Sequence, residues 1–98
     1  MPLLDFAALA GQLPQSWKSS RVGQVGPAWI KVLRMSEQAY EEETHDYNEG
    51  LLVISGRLHL SIGDEQVKVE AGQMYLVQAG IAHSVLAGSH GTLVIIDV

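Results

Sequence analysis

The stretch LLVISGRLHLSIGDEQVKVEAGQMYLV, from Leu51 to Val77, decides the fold class. Leu51 to Ser55 is an apolar run that stops at Gly56. Leu58, Leu60 and Ile62 then alternate with Arg57, His59 and Ser61, so one face of a strand is apolar and the other polar. Gly63-Asp64-Glu65 is a turn, Gln66 to Glu70 alternates again with Val67 and Val69 inward, Ala71-Gly72 turns, and Met74 to Val77 is a further strand.

The same signals continue on both sides. Trp29 to Met35 is β-branched and aromatic and reads as a strand. Beyond the turn at Ala79-Gly80, His83 to Leu86 and Thr92 to Val98 are strands separated by the turn Gly88-Ser89-His90-Gly91. About seven or eight short strands with closely spaced turns predict a sandwich or barrel. No stretch after residue 28 has a 3.6-residue period, which argues against parallel α/β architecture. The N-terminal part differs. Asp5 caps a predicted short helix over Phe6 to Gln12, limited by Gly11 and Pro14, and residues 19–28 read as an irregular arm. The division is therefore residues 1–27 as helix and arm and residues 28–98 as a β-barrel domain.

The chain has 98 residues, 47% of them hydrophobic, which is a folding composition for one domain. A net charge of −5, with scattered basic residues, argues against a nucleic-acid partner and against a membrane-surface anchor. No apolar run approaches the ~20 residues that span a bilayer. Met1 to Asp5 lacks the basic start of a secretory signal, and a cytoplasmic location is expected. There is no cysteine, so disulfides, thiolate nucleophiles and zinc–thiolate sites are excluded.

Candidate chemistry gathers at Glu43, His45, Glu49 and His83. Imidazole and carboxylate are the usual ligands of zinc, iron, manganese and nickel. In extended backbone Glu43 and His45 share a face, and a barrel could bring His83 across to them. On spacing alone, solvated surface residues are the more economical reading. Tyr47 and Asp46 lie in the same loop and could both line a pocket mouth, and Tyr75 alternates with Met74, so one of the two should be core or pocket wall. His59, between Leu58 and Leu60, is expected on the opposite face, His90 in a solvated turn, and Glu41 and Glu42 on an acidic rim. Trp29 reads as core and Trp17 as packing of the arm.

Glu43-x-His45-x3-Glu49-x6-Gly56 resembles the first cupin motif, and Gly72-x5-Gln78-x-Gly80-x2-His83-x3-Ala87 resembles the second, with residues 57–71 between them. The arm, with Trp17 and Arg21 to Val25, is similar to the N-terminal lead of small single-domain cupins. The resemblance implies a cupin jelly-roll β-barrel with a divalent metal (Mn, Fe, Zn or Ni) held inside. His45 takes the second histidine position, Glu49 the glutamate position and His83 the last histidine position. Glu43 stands where the family has its first histidine. As a fourth ligand or general base, it would make the site harder and more anionic, favouring manganese, iron(II) or magnesium over copper. Gln78 replaces a proline and Ala87 an asparagine.

Two functions are open on this reading. One is a metal site that binds a small sugar-like or oxygen-rich metabolite, as an isomerase, lyase or dioxygenase if it is an enzyme. The other is a metal-free or degenerate barrel acting as a non-catalytic ligand-binding or regulatory module. Pairing of sheets into a homodimer is expected, with the arm free to wrap or swap onto the partner.

Overall fold

The computed structural model describes residues 3–98; Met1 and Pro2, the start of the expected arm, lie outside the described residues. One helix, α1 (Phe6–Gly11), precedes eight strands: β1 (Ser20–Val25), β2 (Ala28–Met35), β3 (Tyr40–Glu43), β4 (Glu49–Ile62), β5 (Glu65–Glu70), β6 (Met74–Val77), β7 (His83–Val85) and β8 (His90–Asp97). All the pairings are antiparallel. The sheet runs β1-β2-β8-β4-β7-β3, with β5 and β6 also pairing with β4.

The strand β4 makes the sheet curl. Its first half pairs with β8 and β6, and its second half with β5 and β7. The sequence reads as two strands parted at Gly56, but the structure has one strand of 14 residues bent there. The reason is a paired-glycine crossing. Gly56 lies opposite Gly91 of β8, with φ of 78° and 98° respectively. A Cβ on Gly91 would sit 2.1 Å from the Ser55 carbonyl oxygen, and one on Gly56 would sit 2.1 Å from that of His90. Only glycine permits both the positive φ and the contact. For the same reason His90 and Gly91, read as turn, begin β8.

Alternation sorts the side chains onto two faces. Leu33 and Met35 of β2, Leu51, Val53, Leu58 and Leu60 of β4, Val69, Val77 and Leu93 form the interior core. Fully burying such a side chain contributes about 1.5–3 kcal/mol. Val32 and Val94, one residue out of step and opposite each other in register, fall on the outer face. There α1 packs on β2 and β8, and Ala10, Val32 and Val94 are buried apart from the interior. The Asp5 carboxylate accepts from the Ala8 N–H at the helix start, and Arg34 Nη1 donates to the carbonyls of Ala10 and Leu13 at its end.

Two expectations for the N-terminal part need correction. The arm at 19–28 is not irregular: Ser20 to Val25 pairs with β2 and turns through Gly26. Trp29 is outside the interior cluster; it is half-buried, with the Arg21 guanidinium 4.4 Å from its ring. Trp17 instead packs against that cluster, with its indole N–H donated to Ser36 Oγ. The polar segment 37–48 also contributes a strand, β3, which pairs with β7.

Candidate metal centre

A cavity of about 250 Å³ opens at one end of the curled sheet. The four candidate residues reach it from different elements. Glu43 ends β3 directly opposite His83, which begins β7, and His83 in turn lies opposite Ile62 of β4. Glu49 begins β4, two residues before inward Leu51. His45 sits in the connection between β3 and β4. That connection is tied to the turn after β6, where Gly80 N–H donates to the His45 carbonyl (2.7 Å) and Ala79 N–H to Asn48 Oδ1 (2.9 Å).

The side chains converge. His45 Nε2 is 3.3 Å from Glu43 Oε2 and 3.7 Å from Glu49 Oε2, and His83 Nε2 is 3.3 Å from Glu49 Oε1. Ligand atoms of Glu43, His45 and His83 all lie within 4.8 Å of one another. Exposure falls from mouth to interior: the Glu43 side chain is 46% exposed, that of His83 only 6%. None of these approaches has hydrogen-bond alignment, so both Nε2 atoms are shielded from solvent and unpartnered. His83 Nδ1 is 3.1 Å from the Ile81 carbonyl, which can only accept; Nδ1 therefore carries the hydrogen and Nε2 the lone pair. The His45 ring stacks on Tyr47 at 4.9 Å, which holds its plane.

Burial pushes the Glu49 carboxyl above the ordinary carboxylate range, and a hydrogen bond with Asp97 and the charge of Asp97 add to this, against the two imidazoles. Burial likewise raises the Tyr47 phenol, with the Asp97 and Glu49 charges adding to it.

Of the other residues singled out in the sequence, Tyr47 lines this cavity, and Asp46 and Tyr75 do not. Tyr75 packs against the interior core and lines a separate depression with Ile62, Leu76 and Ile81. Glu41, read as acidic rim, lines the cavity; Glu42 does not. His59 flanks inward Leu58 and Leu60 and does not reach the cavity; its backbone N–H donates to Ser89 Oγ. His90 is exposed.

Two site residues went unread in the sequence. Lys31 and Asp97 both line the cavity, and Lys31 Nζ is 2.7 Å from Asp97 Oδ1. The signal was parity: Lys31 is in step with inward Leu33 and Met35, and Asp97 with inward Leu93 and Ile95. A charge in step with a buried face points into the interior.

The cupin domain family model matches residues 32–98. Among solved structures, a cupin-2 domain containing protein from Shewanella frigidimarina superposes with a TM-score of 0.90 at 22% identity, covering 98% of this chain and 94% of that one. Protein NMB1881 from Neisseria meningitidis gives 0.84 at 15% identity, covering 98% of each chain. A cupin superfamily protein from Desulfitobacterium hafniense gives 0.79 at 15%, covering 97% of this chain and 88% of that one. No curated protein matches the sequence.

Proposed function

The chain belongs to the cupin domain family, and from that premise we propose that its cavity holds one divalent metal ion on Glu43, His45, Glu49 and His83, where a small oxygen-bearing metabolite completes the coordination. One observation carries the reading: the Nε2 atoms of His45 and His83 converge on the Glu49 carboxylate, out of water and without partners. A buried polar atom left unpaired costs about 1–3 kcal/mol, and two beside one another call for a shared partner. The charges agree. Glu41, Glu43, Glu49 and Asp97 against Lys31 give the cavity lining a net charge of −3, which one divalent cation reduces to −1.

The donor set is two imidazole nitrogens with carboxylate oxygen, which suits manganese, iron(II), zinc or nickel. When bound, such an ion would polarise a ligand oxygen as a Lewis acid, the chemistry that isomerases and lyases use. The chain's own residues prepare for this. The Ile81 carbonyl fixes the His83 tautomer, and Tyr47 orients His45. Asp97 stands behind Glu49. Glu43, at the open end, is placed to ligate or to take a proton from a ligand.

Elemental analysis of purified protein, followed by calorimetric titration with each metal, tests the reading. The expected result is one site per chain, lost in a His45→Ala, His83→Ala double variant. Absence of metal and of uptake would favour a non-catalytic ligand-binding module instead. We propose also that the protein is a homodimer. Met74 and Leu76 of β6 are exposed on the outer face of the sheet, and that face would be covered by a second copy. Sedimentation at micromolar concentration gives the mass directly.

A further inference from the structure

The cavity is divided by chemistry. The charged groups Glu43, His45, Glu49, His83, Lys31 and Asp97 are linked to one another by contacts, Glu41 also lines the cavity, and Leu33, Leu58, Leu60, Val85 and Leu93 form much of the rest. A polyhydroxylated ligand would leave hydroxyls facing leucine, each costing about 1–3 kcal/mol unpaired. A ligand with one polar head and a short apolar tail leaves none. The volume of about 250 Å³ is below the ~300–1,000 Å³ of drug-sized pockets, which limits the tail to a few carbons.

Lys31 is the group whose presence the metal centre does not explain. An ammonium has three N–H donors. One contact is made to Asp97, and it is off the direction of a good hydrogen bond, since Asp97 Oδ1 has no aligned donor. Among the described residues the ammonium has no other ion pair and no hydrogen bond; its charge also acts on the Tyr47 phenol. The Lys31 side chain is 21% exposed and Asp97 only 2%, so the carboxylate is the fixed member and the ammonium faces the cavity. Contacts run without a break from Lys31 to Asp97 to Glu49 to the two histidines. The ammonium therefore lines the same cavity of about 250 Å³ as the two imidazoles.

We infer that Lys31, positioned by Asp97, anchors a carboxylate, and that the ligand is a small 2-oxo or 2-hydroxy carboxylic acid with a short apolar tail. This rests on the proposed metal centre and adds the ligand's charge and shape to it. The carboxylate takes the free N–H donors of Lys31, the adjacent oxygen faces the donor cluster, and the tail lies against Leu58, Leu60 and Leu93.

The test uses manganese-loaded full-length protein and two probes, 2-hydroxypentanoate and its neutral amide. Calorimetry measures both, with manganese binding measured separately. A charge-assisted contact predicts that the acid binds about tenfold or more tightly than the amide. Lys31→Met should remove that preference while leaving amide binding and manganese affinity within about twofold. If Lys31→Met does not fold, the Lys31→Met, Asp97→Asn double variant removes both charges together and should lose the same preference. Equal binding of acid and amide, or binding of neither, overturns the inference. If manganese itself fails to bind, the metal reading falls, and the same pair measured on metal-free protein decides the role of Lys31. An acid preference abolished by Lys31→Met then upholds it, and no preference overturns it.

Discussion

Adding a divalent metal to chelator-stripped protein should raise its melting temperature strongly, and by more at higher pH. The ion would satisfy two unpartnered Nε2 atoms and offset most of the net −3 charge of the cavity lining. An ion that binds only the folded state, at one hundred times its Kd, stabilises by about 2.7 kcal/mol. A domain of this size moves by about 4–8 °C per kcal/mol, so the expected rise is about 11–22 °C. The pH dependence follows from Glu49. Its carboxyl is raised by burial first and by Asp97 next, so the metal-free folded protein holds this proton more tightly than the unfolded chain does. Its stabilising contribution is complete below the unfolded carboxyl value and is lost as pH rises through the higher folded value. The metal needs the carboxylate form, so its benefit grows across the same window. Circular-dichroism melts with Mn, Fe(II), Zn or Ni against chelator, at about pH 5 and about pH 7.5, read both effects. No rise with any of the four metals would refute the reasoning. So would an equal rise in the His45→Ala, His83→Ala variant, or a gap that narrows as pH increases.

Gly91→Ala should destabilise by about 3 kcal/mol or more, because it combines a positive φ with a 2.1 Å approach to the Ser55 carbonyl; urea titration with an unchanged slope would report it. Arg34→Met removes two donated hydrogen bonds at the end of α1 and should cost about 2 kcal/mol, seen as faster amide exchange over residues 6–13 with the strands still protected. Leu60→Ala empties a fully buried position beside the cavity and should cost about 2–5 kcal/mol in chemical denaturation. A cost well below that range would mean that the cavity wall collapses onto the gap.

The short-period alternation of Leu58, Leu60 and Ile62, and of Val67 and Val69, was legible because side-chain direction in a strand is a local property. The turns were legible for the same reason: Gly63, Gly72, Gly80 and Gly88 have positive φ, which local sequence announces. Glu43, His45, Glu49 and His83 could be singled out by type and spacing. What could not be read locally were the consequences of one strand meeting another. The Gly56–Gly91 crossing joins residues far apart in the chain, so its effect on β4, a bend instead of an end, was invisible. The strand character of Ser20 to Val25, polar and glycine-containing, comes from the β2 edge it pairs with and not from its own propensity.

By itself the sequence determined an all-β chain with an inward and an outward parity, a short capped helix before it, no thiol chemistry, and a small set of nitrogen and oxygen donors. Only the tertiary structure decided which of those groups share a cavity. It brought His83 against Glu49 and Glu43, left Tyr75 outside, moved Trp17 against the core, and put Lys31 and Asp97, 66 positions apart in the chain, within 2.7 Å of each other. The physical reason is that parity fixes the face on which a side chain emerges. Its neighbours there are set by sheet order and register, through hydrogen bonds between segments that the chain alone does not place together.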